Sequence, residues 1–348
     1  MERNEIEEIV LSIHLKGEII ERKRGTYGIV FIVKQQAQAI PKYVAYKTTK
    51  DKFDKNKLDT FIREARVWFE KLKGHPLILT PFYITNIENR PLICMPFCEK
   101  TLRDYLNEHK SLKPIEALVI TSQILKGLIF ARSKGIESHQ DLKPENILLE
   151  DLSKKFAEWP PQNVDQSLKW QVRIGDFGCA NAWRELGEPG GTKPYMAPEQ
   201  WELKRLKDKI RDKRTDTKER EKLSKELEKK KKEMDFSKVD VFAIGIILYE
   251  LLTGKHTIGV KTSDVWPEPK EGFPKRYKKD DRWKKWSKKA SENIKLENLE
   301  LKEEIESLIK DMLLPDINER LDLHSAFKRV MDLLHKLHKP TAKQLELL

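Results

Sequence analysis

Two carboxylates and a carboxamide in the middle of the chain have the residue types of a magnesium-dependent catalytic site. Asp141 and Asn146 lie five residues apart on a predicted short loop, because a proline between them breaks any helix and the apolar run 147–149 predicts a strand. A magnesium ion that bridges phosphate oxygens takes oxygen ligands from more than one direction. A further carboxylate must therefore come from elsewhere in the chain. Asp176 is the candidate, at the end of the strand predicted at 172–174.

Three motifs follow one another in a fixed order along this part of the chain. They read HQDLKPENILL at 139–149, DFG at 176–178 and APE at 197–199. Together they resemble the catalytic half of a eukaryotic-type protein kinase of the serine/threonine branch, and three motifs in order are far more specific than one triplet. The resemblance implies that Asp141 accepts the proton of the substrate hydroxyl. It also implies that Asn146 and Asp176 hold Mg²⁺ or Mn²⁺ on ATP.

A glycine-rich segment near the start matches the family's phosphate-covering loop with one departure. Gly25 and Gly28 permit close backbone approach, whereas Lys23 stands where the first glycine is expected. Lys47 follows on an apolar strand, and the resemblance implies that it pairs with the α- and β-phosphates of ATP.

Apolar residues at helical spacing over 58–73 predict one long helix after that strand. Glu64 on this helix resembles the glutamate that pairs with Lys47. Glu70 is the alternative, but its neighbour Lys71 favours a solvated charge. The resemblance further implies an adenine site with these members: Val30, Ala45, Met95, Phe97, Cys98 and Leu148.

The substrate class is indicated by two features near the catalytic loop. Lys143 stands two residues after Asp141, as in the serine/threonine branch, where a cation beside the base steadies the transferring phosphate. Thr192 supports the same branch. Related small-molecule phosphotransferases usually lack the segment at 197–199, which resembles a platform for peptides. A protein substrate is therefore expected.

The usual switch of activation-loop phosphorylation lacks both of its parts. Gln140 stands where many kinases have an arginine that pairs with the loop phosphate, and residues 179–191 contain no serine, threonine or tyrosine. We therefore predict a kinase that is independent of loop phosphorylation, with Trp183 and Leu186 packing the loop instead. A catalytically weak pseudokinase or scaffold is the alternative.

The resemblance implies an α+β, two-lobed kinase-like fold. A small β-rich lobe with one long helix is expected over 1–95 and a hinge over 96–98. A larger, mainly helical lobe is expected over 99–338, and a C-terminal tail over 339–348. No additional domain is needed to fill this length.

Two further residues resemble structural elements of the larger lobe. Asp240 precedes an apolar helical run over 242–252, similar to the central helix whose aspartate holds the catalytic loop. Arg320 resembles the arginine that pairs with Glu199.

The net charge of +12 is concentrated in two segments. Residues 202–235 hold 15 Lys/Arg against 10 Asp/Glu and predict a long solvated helix or a partly disordered insertion. Residues 270–289 hold 10 Lys/Arg against 3 Asp/Glu, interleaved with aromatic residues. This pattern suits an acidic protein or nucleic acid, although the aromatic residues would alternatively belong to the core. A basic nucleic-acid-associated protein is thus a third, weaker hypothesis.

The compartment is predicted from what the sequence lacks. Residues 1–8 are charged and do not form a signal peptide, and 241–252, taken as the best apolar run, is too short to span a bilayer. The cysteines have neither metal-ligand spacing nor an even count. A cytoplasmic protein without membrane contact is expected.

Overall fold

The computed structural model describes residues 17–24, 28–36, 41–49, 52–177, 191–258, 279–292 and 294–347. Its contacts divide the chain into two compact units. The first consists of Met1–Glu99 and Arg173–Glu188, and the second of Lys100–Val172 and Pro189–Leu348.

The first unit contains a five-stranded antiparallel sheet in the order β1-β2-β3-β5-β4. The strands are β1 Glu18–Arg24, β2 Gly28–Lys34, β3 Tyr43–Thr49, β4 Tyr83–Ile87 and β5 Arg90–Pro96. Alternate residues face opposite sides of a strand, so Leu92 and Cys94 join one core cluster while Ile93 packs with Phe61 in another. Packing on both faces of the sheet thereby fixes the position of β3, the strand that carries Lys47.

Helix α1 (Lys55–Leu72) lies over this sheet and confirms the helix predicted from apolar spacing. It begins where the side chain of Asp54 accepts a hydrogen bond from the Lys57 amide at 2.9 Å, an N-cap that satisfies a backbone donor. Phe61 and Ala65 are buried against the sheet.

The second unit is mainly helical. Its helices are α2 Leu102–His109, α3 Pro114–Ser133, α4 Pro198–Arg211, α5 Thr217–Glu233, α6 Ser237–Thr253, α7 Lys279–Ser287, α8 Lys302–Met312 and α9 Leu323–Leu347. A small sheet joins β6 Lys100–Thr101, β7 Ile147–Asp151 and β8 Trp170–Ile174 in that order. Helix α6 is buried along nearly its whole length, as expected for a central helix.

Helix α3 is a longer apolar helix than the run 241–252, which lies within α6 and is the more apolar of the two. Helix α3 has 20 residues and is long and apolar enough, by length and composition alone, to cross a membrane. Two-thirds of its apolar window is buried inside the protein (67%), which accounts for its composition as that of a core helix.

Most of the segment 339–348, expected as a C-terminal tail, belongs to a helix in the described residues. Helix α9 continues to Leu347, with a kink at His338, two residues before Pro340. Thr341, Ala342 and Leu345 are buried on its second arm. This apolar face makes the segment part of the core.

The charged insertion over 202–235 forms a helical hairpin of α4 and α5. Leu206 on α4 packs against Leu223 and Leu227 on α5, and Lys230 pairs with Glu202 at 3.0 Å. The leucines that looked sparse in the sequence meet across the hairpin and give it a small core of its own.

Candidate active site

Asp240 anchors the backbone of the predicted catalytic loop, as the sequence indicated. One carboxylate oxygen accepts the amide of His139 at 2.6 Å and the other accepts the amide of Gln140 at 2.7 Å. Asp240 is 1% exposed in the first turn of α6, where a carboxylate also interacts favourably with the helix dipole. The loop is therefore held by a buried, charged acceptor.

Asp141 lies in a compact network immediately after this anchor. The Thr192 hydroxyl donates to Asp141 Oδ1 at 2.7 Å, and Lys143 Nζ donates to Asp141 Oδ2 at 3.0 Å and to Thr192 Oγ1 at 2.7 Å. The Asn146 side-chain amide donates to the Asp141 backbone carbonyl at 2.8 Å. The Asp141 carboxylate is thus held in a fixed orientation in its ionised form, and it remains partly exposed, so a hydroxyl from solvent or a ligand can reach it.

Lys47 and Asp176 come together within the first unit, where they form a hydrogen-bonded ion pair. Ile174, just before Asp176, exchanges backbone hydrogen bonds with Leu77 and Leu79 at 2.8 and 2.9 Å, so the strand predicted to deliver Asp176 is present. Asp176 itself has φ +62°, a left-handed conformation that turns the chain after the strand. Both charged groups remain partly exposed and can reach a ligand.

Glu64 lies on α1, and its side chain is outside the described part of the structure. Its pairing with Lys47 stays a prediction. Gly25 also lies outside the described residues, whereas Gly28 begins β2. A Cβ on Gly28 would stand 2.4 Å from the Thr48 carbonyl oxygen, so this position requires glycine for the approach of β2 to β3.

A pocket lies in the first unit beside the ion pair. Met95 and Lys47 line it together with Asp176 and apolar residues of α1 and β5. Within the sheet, Val30 pairs with Lys47 and Ala45 with Met95 across neighbouring strands.

The remaining predicted adenine residues are distributed over both units. Phe97 follows β5 and contacts Tyr43 with ring centroids 5.8 Å apart, and the Cys98 side chain is buried. Leu148 lies half-buried on β7 of the second unit.

The segment that begins at Gly191 is tied to the catalytic loop by Gln200, which sequence reasoning missed. Its side chain accepts the Ala197 amide at 2.9 Å and donates to the Gln140 carbonyl at 3.0 Å. Gln200 lies in the first turn of α4, next to Glu199, which forms a buried bidentate pair with Arg320 at 2.6 and 3.1 Å. The pair confirms the prediction for Arg320, and it fixes the start of α4.

Tyr195 is fixed by a buried charge cluster that no motif indicated. Its hydroxyl donates to Glu250 Oε2 at 2.7 Å, and Arg103 donates to that hydroxyl at 2.6 Å and to Glu145 at 3.0 Å. Burial raises the pKa of the Glu250 carboxyl, which the nearby Arg103 guanidinium partly offsets. The segment 192–195 is therefore held at the side chains of Thr192 and Tyr195.

His256 also contacts the segment 192–195, through the carbonyl of Pro194. It is fully buried, with Nε2 2.9 Å from the Pro194 carbonyl and Nδ1 accepting the Ile258 amide at 3.3 Å. Because Nδ1 accepts, the neutral ring carries its proton on Nε2 and donates it to Pro194. The rings of Trp283 and Trp286 lie 5.2 and 4.7 Å away.

Trp283 is 5% exposed and packs with Met196 and Trp201. In the described part of the basic segment 270–289, the tryptophans therefore belong to the core, which was the alternative explanation for the interleaved pattern. Lys285, Lys288 and Lys289 remain exposed beside them.

The free energy of unfolding should decrease between pH 6.5 and 4 because of His256. Burial lowers the pKa of its imidazole from 6.5 to about 4, so in that range the unfolded state binds more protons than the folded state. Above pH 6.5 this effect on the free energy of unfolding is absent. Near pH 4 it is complete, and the free energy of unfolding should then be lower by about 3 kcal/mol. Chemical denaturation of the wild type and His256→Phe at several pH values measures the difference.

The control is His324→Phe, which changes an exposed histidine. Its free energy of unfolding should follow the wild-type pH dependence. A difference between wild type and His256→Phe that stays constant from pH 7 to 4 would contradict the assignment.

The fold and these contacts define a protein kinase. The family model described as the protein kinase domain matches residues 23–217, more than half of the chain, and the chain belongs to this family.

Several curated proteins are similar to this chain. A serine/threonine-protein kinase PknK of Mycobacterium tuberculosis is 32% identical over 51% of the chain and 14% of that protein. A Wee1-like protein kinase of Oryza sativa subsp. japonica is 26% identical over 68% of the chain and 36% of that protein. An interferon-induced, double-stranded RNA-activated protein kinase of Rattus norvegicus is 33% identical over 46% of the chain and 24% of that protein. The chain thus spans about a third or less of the length of these relatives.

Among solved structures, a crystal structure of Rad53 1–466 in complex with AMP-PNP matches with a TM-score of 0.55. The identity is 22%, and the match covers 90% of this chain and 63% of the Rad53 chain. This likeness supports the two-lobed kinase fold, with a small β-sheet lobe and a helical lobe.

Proposed function

We propose that this chain is a serine/threonine protein kinase domain that transfers the γ-phosphate of ATP to a hydroxyl of a protein substrate. The observation that carries the proposal is the network in which Asp141 accepts hydrogen bonds from Lys143 and Thr192. Asp141 accepts the proton of the incoming hydroxyl, and Lys143 stabilises negative charge on the transferring phosphoryl group. Thr192 accepts a hydrogen bond from Lys143 and donates one to Asp141, and thereby holds these two side chains in a fixed relative position.

ATP is bound mainly by residues of the first unit in this proposal. Lys47 contacts the α- and β-phosphates and is oriented by Glu64, while the backbone at Gly25 and Gly28 covers the phosphates. The adenine ring contacts the following residues: Val30, Ala45, Met95, Phe97, Cys98 and Leu148.

Asn146 and Asp176 would hold Mg²⁺ or Mn²⁺ on the nucleotide. They supply an amide and a carboxylate oxygen, the donors that such hard cations prefer. Among the described residues no group of three or more His, Cys, Asp or Glu could hold a metal ion, so an all-protein cage is absent there. That fits an ion that takes its other ligands from phosphates and water. When bound, the ion neutralises charge on the phosphates.

The substrate and compartment are also part of the proposal. The contacts at Tyr195, Glu199 and His256 support a firm platform beside the catalytic loop, which suits an extended protein segment. Cys94 and Cys98 are buried thiols, which suit a reducing compartment, and we expect the protein in the cytoplasm.

Activity should not depend on phosphorylation of the loop 179–191, of which 179–190 lie outside the described residues. Gln140 is uncharged and the loop has no hydroxyl side chain, so treatment with a phosphatase should leave kcat unchanged. Gln140→Arg, which restores the usual cation, should also leave kcat within about twofold because there is no loop phosphate for it to bind. A phosphatase-induced loss of turnover, or a modified residue mapped to this loop, would contradict the prediction.

Phosphoamino acid analysis tests the proposed substrate class. The full chain is incubated with γ-labelled ATP, Mg²⁺ and a mixture of denatured proteins, and the labelled products are hydrolysed. Label should appear in phosphoserine or phosphothreonine. Label confined to phosphotyrosine or to small molecules would overturn the substrate class. Nucleotide binding without any label in polypeptide would favour the scaffold alternative.

A further inference from the structure

The exposed face of α5 carries a regular row of lysines. Lys218, Lys222, Lys225, Lys229 and Lys232 are separated by four, three, four and three residues, which places them on one face of the helix. We call this row the lysine stripe. At a rise of 1.5 Å per residue it extends about 21 Å.

The lysine stripe points to solvent because the opposite face of α5 is committed to the hairpin. Leu223 and Leu227 are buried against Leu206 of α4, whereas all five lysines are exposed. Within the described part of the chain, four of the five form no ion pair, and Lys229 reaches Glu233 only at 3.9 Å. Glu221 and Glu228 lie three or four residues from stripe lysines and offset part of this charge, but α5 as a whole holds 8 Lys/Arg against 5 Glu, which leaves a net +3.

The described part of the second basic segment lies against the same hairpin. Helix α7 packs on α4 through Trp283 and Trp201, and Lys285 and Lys288 are exposed beside that contact. Within the described residues, these two lysines therefore add positive charge next to the hairpin.

The chemistry of the stripe favours a nucleic acid over a protein partner. Protein interfaces have an apolar, aromatic core and are depleted in lysine, and the stripe contains no apolar residue. Protein–DNA interfaces are more polar and much more positively charged. Over the length of the stripe, duplex DNA presents about 12 negative charges, because it carries one charge per 1.7 Å of its axis.

The composition of the stripe also indicates how a duplex would be recognised. Helix α5 has no asparagine, glutamine or aromatic side chain, and its one arginine, Arg220, donates to the backbone carbonyls of Asp212 and Thr215 instead of being available for base edges. Lysine ammonium groups are suited to phosphate oxygens. We propose that the α4–α5 hairpin binds the phosphate backbone of duplex nucleic acid through the lysine stripe, independently of base sequence. This inference does not rest on the proposed kinase activity.

The test is fluorescence anisotropy of a labelled 20-base-pair DNA duplex with the full chain, without ATP, between 50 and 200 mM NaCl. Five phosphate contacts predict a slope of about −4.5 in log K against log salt, so the wild-type affinity should fall about 500-fold. The triple variant Lys222→Gln, Lys225→Gln and Lys229→Gln should retain a slope of about −2 and fall only about 10-fold. Circular dichroism checks that the helices are unchanged.

The matched control removes the same charge elsewhere: Lys110→Gln, Lys113→Gln and Lys295→Gln are exposed positions outside α5. This variant should keep the wild-type slope. Absence of salt-dependent binding by the wild type would overturn the proposal, as would equal effects of the two triple variants. Displacement of the duplex by a polyglutamate peptide at equal charge concentration would instead identify an acidic protein partner.

Discussion

Replacing Asp141 with asparagine should lower kcat by about 10²- to 10⁴-fold and leave the KM for ATP within about threefold. The carboxamide has nearly the shape of the carboxylate and can still accept the Lys143 hydrogen bond now seen at 3.0 Å. It cannot take the proton of the substrate hydroxyl. Steady-state kinetics with ATP and a protein substrate varied separately measure both constants.

The control for this variant is Asp208→Asn, which makes the same chemical change at an exposed aspartate of α4. Its kcat should equal that of the wild type. If Asp141→Asn retained full kcat, or if it changed only the KM for ATP, Asp141 would not be the group that accepts the proton.

Arg320→Ala should lower the free energy of unfolding of the second unit by about 3–5 kcal/mol. The Arg320 side chain is fully buried, its pair with Glu199 is bidentate, and it also donates to the carbonyl oxygens of Leu314 and Lys238 at 2.8 and 3.0 Å. Removing the guanidinium leaves the Glu199 carboxylate buried without a cation. Urea denaturation followed by circular dichroism measures the change.

The structure offers a matched control for this variant in Arg214, whose pair with Asp212 at 2.7 Å is on the surface. Arg214→Ala should have a far smaller effect than Arg320→Ala, because water replaces the lost partner. The double variant Arg320→Met with Glu199→Gln should also recover part of the loss, since it removes both charges together. Equal effects of the Arg320 and Arg214 substitutions would refute the argument.

The parts of the site that follow from local sequence were predictable. The proline and the apolar run around Asn146 set a short loop before β7, and the strand before Asp176 is present. The anchoring role of Asp240 was also predictable, because it depends on a motif and on a single long apolar helix. These features need only a few residues of context.

The missed contacts join residues far apart in the sequence. His256 reaches Pro194, and Arg103 reaches Tyr195 and Glu250, without any spacing that marks them. Each of these residue types is common on protein surfaces or in protein cores, so the sequence alone does not signal its contact. Their role depends on burial, which only the packed unit supplies.

The helical hairpin was missed for a related reason. Its leucines are too few on either helix to predict a buried face, and only the packing of α4 against α5 brings Leu206 to Leu223 and Leu227. The high proportion of lysine and glutamate favoured a solvated segment. Apolar spacing in a sequence shows which face of a helix is buried, but it does not show which other helix packs against that face.

The most direct measurement of the central claim is transfer of labelled γ-phosphate from ATP to a polypeptide by the pure chain in the presence of Mg²⁺. Wild type, Asp141→Asn and Asp176→Ala should be compared at nucleotide concentrations that give equal occupancy, determined by equilibrium binding. The account predicts labelled polypeptide with the wild type, at least about 100-fold less with Asp141→Asn, and a similar loss with Asp176→Ala. Wild-type protein that binds the nucleotide and labels no polypeptide, or variants that label as fast as the wild type, would contradict it.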